Sequence, residues 1–126
     1  MAYTTINDPS KYFQATIYTG TGSSRNVTNV GNSDLKPDWV WIKARNQGDQ
    51  EHNVYDTVRG TSKRIQPNST EAQSDRDGVT AFLTDGFTTN YSDANTNTHL
   101  YVAWQWRAGQ GTNQTNNAGA NSADLA

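Results

Sequence analysis

The longest strand candidate in the chain is "HLYVAWQWR" at residues 99–107. Strand alternation sets Leu100, Val102, Trp104 and Trp106 on one face and His99, Tyr101, Ala103, Gln105 and Arg107 on the other. The tryptophans travel with the aliphatic residues, so theirs is the face expected to point into a core. A second double-tryptophan run, "WVWIKAR" at 39–45, has the opposite character. There Trp39 and Trp41 align with Lys43 and Arg45, whereas Val40, Ile42 and Ala44 make the purely apolar face. All four tryptophans of the 126-residue chain lie in these two runs.

Working outward, helical periodicity is almost absent. Short β-rich stretches alternate with Gly, Asn, Asp and Pro clusters. "YFQATIYT" (12–19) alternates with Phe13, Ala15 and Ile17 on one side, and a turn at 19–24 leads to a short strand near 26–30. Past 39–45, further strands are expected at 53–58 and around Lys63–Gln66, with 71–78 as polar loop. The segments 79–84 and 87–91 flank Asp85-Gly86, a hairpin signal. About eight strands at such intervals predict an all-β chain, an antiparallel β-sandwich of jelly-roll or lectin-like type. After Arg107 the sequence carries no aromatic or β-branched aliphatic residue and one leucine. Residues 1–107 therefore read as the sandwich domain, and 108–126 as an irregular polar linker or partner-ordered tail.

Composition excludes several classes of function. Asn, Thr, Ser and Gly supply 50 residues, the apolar set reaches 33% and charged residues 17%, which predicts a small core under an uncharged polar surface. At net charge −2, with basic residues scattered, no groove neutralises many phosphates, so nucleic acid is not an expected partner. The chain has no cysteine, so packing or assembly must stabilise it. No apolar run approaches a membrane span, and the Met-Ala start without a leader fits cytosolic synthesis.

Catalytic patterns are thin. His52 and His99 show no metal-ligand spacing, no nucleophile elbow or phosphate loop is present, and Glu51 and Glu71 sit in polar loops. "SDRDG" (74–78) echoes part of a calcium loop, but turn chemistry accounts for it better. In "YDTVRG" (55–60), Asp56 and Arg59 are expected to form a structural pair in a turn before Gly60. No catalytic, cofactor-binding or metal-ligating residue is assigned, and the chain is read as non-enzymatic.

In order along the chain, "MAYTTINDPSKYFQATIYTGTGSS", "NSDLKPDWVWIKAR", "HNVYDTVRGTSKRI", "AFLTDGF" and "YVAWQWRAG" resemble a module of virion proteins of tailed bacteriophages, especially marine ones. The resemblance covers residues 1–109. It implies a lectin-like β-sandwich in tail-fibre-like or other virion surface proteins, and it carries no catalytic residue. The expected function is thus a structural component of a virion, at a fibre, appendage or tail surface, built against other virion proteins and copies of itself. A capsid decoration protein is one alternative, and a carbohydrate-binding module for a host surface glycan is another. Trp39, Trp41, Lys43, Arg45, Tyr55, Tyr91 and Tyr101 are the candidate interface or ligand residues. A Trp face rimmed by Lys and Arg suits a protein neighbour or a sugar, and the neighbour is favoured.

Overall fold

The computed structural model describes residues 6–108. Among them, regular structure is nearly all strand. A single short 3₁₀ turn, Pro9–Lys11, is capped by Asp8, whose carboxylate accepts from the Ser10 amide. The strands are β1 (Phe13–Thr19), β2 (Arg25–Val27), β3 (Trp39–Ala44), β4 (Asn53–Asp56), β5 (Lys63–Arg64), β6 (Ser74–Asp75), β7 (Ala81–Leu83), β8 (Gly86–Thr89) and β9 (Leu100–Trp106). The fold is all-β, antiparallel and sandwich-like. A four-stranded sheet has the order β1-β9-β3-β4, a three-stranded sheet the order β2-β8-β7, and β5 pairs with β6.

The first and last strands are neighbours, and β9 is flanked by β1 along its whole length and by β3 from Tyr101 to Trp106. Its register is therefore fixed from both sides. The core lies between the two larger sheets. Val40, Ile42 and Ala44 of β3, Tyr55 of β4, Tyr101 and Ala103 of β9 and Tyr18 of β1 form one cluster with Val27, Phe87, Val79 and Ala94. Tyr18 stacks on Tyr101 at 5.1 Å and meets Phe87 edge-on, and its hydroxyl donates to the Ala94 carbonyl at 2.6 Å. Aromatic pairs of this kind add about 0.5–1.5 kcal/mol beyond their burial. Desolvation pushes the Tyr18 hydroxyl well above its usual pKa, so it stays a donor.

At the β1 end the core is polar. Gln105 and Asn29 exchange amide hydrogen bonds, with Gln105 Nε2 to Asn29 Oδ1 at 2.6 Å and Asn29 Nδ2 to Gln105 Oε1 at 3.3 Å. Thr16 donates to the same Asn29 oxygen at 2.6 Å. Such a network is tolerated inside because its members satisfy one another.

The structure differs from the sequence expectation at three places. Trp104 and Trp106 do not face the core: they are half-buried on the outer side, and Tyr101, Ala103 and Gln105 point inward. The reason lies in the neighbour strand. Val40, Ile42 and Ala44 must be inside, and the register opposes them to Gln105, Ala103 and Tyr101, which drags those residues to the same face. Residues 74–75, expected as loop, form β6 through antiparallel pairing with Lys63 and Arg64, and Asp75 also meets Lys63 at 2.6 Å. The 81–89 hairpin turns at Thr84-Asp85 rather than Asp85-Gly86. Gly86 opens β8 with φ +97°, and a Cβ there would fall 2.0 Å from the Val27 carbonyl oxygen. Of the expected 108–126 tail, all but Ala108 lies outside the described residues.

Candidate interaction face

The outer surface of the four-stranded sheet departs from the usual polar exterior of an antiparallel sheet. Beside its core residues it holds Gln14, Thr16, Asn53 and Gln105 inside, whereas outward it shows all four tryptophans. Cross-strand register arranges them in rows. Phe13, Trp106 and Trp39 form the first, Ala15, Trp104 and Trp41 the second, and Ile17, Val102 and Lys43 the third. Ile17 is 67% exposed, Phe13 40% and Leu100 39%. Apolar surface of this extent on one face marks an interaction site more often than a packing accident.

Ring geometry fixes the tryptophans. Trp106 tilts against Phe13 at 5.0 Å, and Trp41 meets Trp104 edge to face at 6.3 Å. The Trp41 indole N–H donates to Nδ1 of His52 at 2.8 Å, so its one polar atom is satisfied and its ring is left apolar. Desolvation, and then the nearby Lys43 charge, hold His52 below its ordinary pKa, which favours the neutral acceptor form. Between the indoles run two open grooves. One of about 400 Å³ is lined by Trp39, Trp41, Trp106, Arg107 and Ala108, and the other, about 310 Å³, by Trp41, His52, Trp104 and Trp106.

The candidate residues scatter more than expected. Trp39 and Trp41 lie on this face. Lys43 shares it, but its ammonium is tied back to the Gln47 and Gln50 carbonyls at 3.1 and 2.7 Å. Arg45, just past β3, is exposed. Tyr55 and Tyr101 do not join the face: both are fully buried, and Tyr101 donates to the Asp93 carbonyl at 2.9 Å. Tyr91, 73% exposed, borders a different cleft of about 320 Å³ with Asp75, Arg76, Asp77, Ser92, Asp93 and Thr96. Its carboxylates already have partners: Asp75 binds Lys63, Asp93 binds Arg64 at 2.8 Å and Asp77 accepts from Ser62 at 2.8 Å. Sequence reasoning missed Phe13, Ile17, Trp104, Trp106 and His52 as members of the face. The one-sided alternation of Phe13, Ala15 and Ile17 was the available signal.

Asp56 and Arg59 form the expected pair at the end of β4. Their side chains make an ion pair, Asp56 Oδ1 accepts from the Val58 and Arg59 amides at 3.0 and 2.8 Å, and Gly60 follows at φ +96°. Among the described residues no group of three or more His, Cys, Asp or Glu side chains is arranged to hold a metal, and no helix is long and apolar enough to cross a membrane.

Residues 8–125 match the family model of a domain of unknown function, DUF7483, and the chain belongs to that family. No curated protein and no solved structure matches it.

Proposed function

We propose that this DUF7483 chain is a non-enzymatic structural component of a bacteriophage virion that docks on a neighbouring subunit through its tryptophan face. One observation carries the docking role. Four half-buried indoles, with the exposed Phe13 and Ile17, lie together on the outer side of the four-stranded sheet. An apolar outer face of this kind suits a further layer, and in this reading a neighbouring subunit supplies it. Tryptophan and arginine anchors dominate protein interfaces, and here Arg107 borders the indole groove. The placement in a virion, whether at a fibre, tail or capsid exterior, rests on the motif series from residue 1 to 109.

The test is mass spectrometry of purified particles together with binding to the neighbour found there. Trp106→Ser should weaken that contact by about 2 kcal/mol, roughly thirtyfold. Absence of the chain from particles would sink the virion reading, and unchanged binding would sink the docking face. A second reading, a host-glycan module, is favoured by the two indole-lined grooves, since pyranose rings stack on such surfaces. Glycan-array screening with tryptophan-fluorescence titration separates the two. A saturable quench by a sugar that Trp41→Ala abolishes would establish the glycan reading.

A further inference from the structure

We infer that β1 pairs edge to edge with β1 of a second copy of this chain, antiparallel about a two-fold axis through Ala15. This goes beyond the docking role, because it uses the rim of the sheet and leaves the tryptophan face free.

The two edges of the four-stranded sheet differ. The β4 edge is bridged by Ile65, whose amide and carbonyl both bond to Val54 at 3.0 and 2.9 Å. The β1 edge has seven residues and no partner strand among the described residues. Proteins normally blunt such an edge with Lys, Pro or a bulge, yet "FQATIYT" contains none of these. The edges of the smaller sheets are only two or three residues long.

Hydrogen-bond alternation shows which groups point outward. Arg107 N–H donates to the Tyr12 carbonyl at 2.9 Å and Gly20 N–H to that of His99 at 2.8 Å, so even-numbered residues of β1 bond to β9. Phe13, Ala15 and Ile17 therefore direct both backbone groups to the open side. At Thr19 the Arg25 guanidinium covers the outward carbonyl at 2.7 Å, which ends the free edge. What remains is three residues centred on Ala15.

That stretch is self-complementary. In the two-fold register, Ala15 opposes Ala15 of the partner subunit, and Phe13 opposes Ile17 of the partner subunit. About six backbone hydrogen bonds form. The smallest side chain sits on the axis, and an aromatic–β-branched pair flanks it on each side. The axis is perpendicular to the sheet, so both outer faces stay on one side and join. One four-stranded face spans roughly 400 Å² from strand spacing and rise, about half of what a stable interface takes from each partner. Two joined faces reach roughly 800 Å², so edge pairing builds a docking surface of full size.

The experiment is sedimentation of the whole 126-residue chain at about 100 µM, with edge and face variants. The expected mass is twice 13.9 kDa. Ala15→Pro deletes only an outward N–H and should return the chain to 13.9 kDa with its cooperative melt retained. The chain has no native cysteine. Ala15→Cys should therefore cross-link on mild oxidation, because bonded strand pairs hold Cα atoms at about 5.5 Å, within disulfide range. Val30→Cys, exposed but off the edge, should not. Trp106→Ser should stay dimeric, which separates this contact from the docking face. A monomeric wild type, or Ala15→Cys cross-linking no faster than Val30→Cys, overturns the inference. So does a dimer that survives Ala15→Pro and dissociates with Trp106→Ser, since that would be face-to-face pairing.

Discussion

Single atoms decide two features of this chain. A Cβ on Gly78 would fall 2.2 Å from the hydroxyl of Tyr55, which is buried and packed in the core cluster. Gly78→Ala must push that ring out of place and is expected to cost about 1–3 kcal/mol, read as a lowered melting temperature. Gly48→Ala, with open space around it, should change the melt little. The second feature is the Trp41–His52 hydrogen bond, which needs an unprotonated Nδ1. The His52 pKa lies below its unfolded value of 6.5, so the folded state binds fewer protons than the unfolded one. Its stabilising contribution is then fully present above about pH 6.5 and is lost as pH falls through the lowered value. In an NMR titration, His52 should show a midpoint below 6.5, and the Trp41 indole N–H should shift in the same step. A midpoint at or above 6.5 would contradict the desolvated acceptor.

At the scale of elements, the strands were largely legible and their facing was not. Eight of the nine strands fall where alternation and turn residues put them, and "YFQATIYT", "WVWIKAR" and "HLYVAWQWR" in particular announce themselves by β-branched and aromatic content. The paired strand at Ser74–Asp75 was invisible because two polar residues carry no hydrophobic period; only their pairing with Lys63-Arg64 makes them a strand. Facing failed at β9 for a different reason. Hydrophobicity within one strand assigns its apolar residues to the core, but β9 takes its faces from β3 through register, and β3 has the cleaner apolar side. Gln105 then enters the interior, where Asn29 and Thr16 receive it. Neither partner is near it in sequence, so no local pattern foretells the network. Replacing Gln105 with Leu should therefore destabilise the fold despite added hydrophobicity. Asn29 would lose its amide partner, at about 1–3 kcal/mol. A denaturant midpoint equal to or above wild type would show that the network is dispensable.

The whole molecule is a thin sandwich whose larger sheet is apolar on the side away from its own core. Its net charge is −2 with 17% charged residues, and Lys43, which shares the tryptophan face, is anchored to its own loop. Attraction through the tryptophan face must then come from burial of apolar area, and that makes a prediction opposite to an electrostatic interface. Docking on the neighbour should change little in affinity between about 0.05 and 0.5 M NaCl, because there is scarcely any charge–charge attraction to screen. It should strengthen in sulfate, which is excluded from protein surface and favours burial. Calorimetry should give a negative heat-capacity change that shrinks in Trp104→Ser and Trp106→Ser, since each removes apolar area from the contact. If binding instead weakened steeply with NaCl and kept its heat-capacity change in both variants, the contact would lie on the exposed Arg45 and loop side. The four tryptophans would then need another occupant.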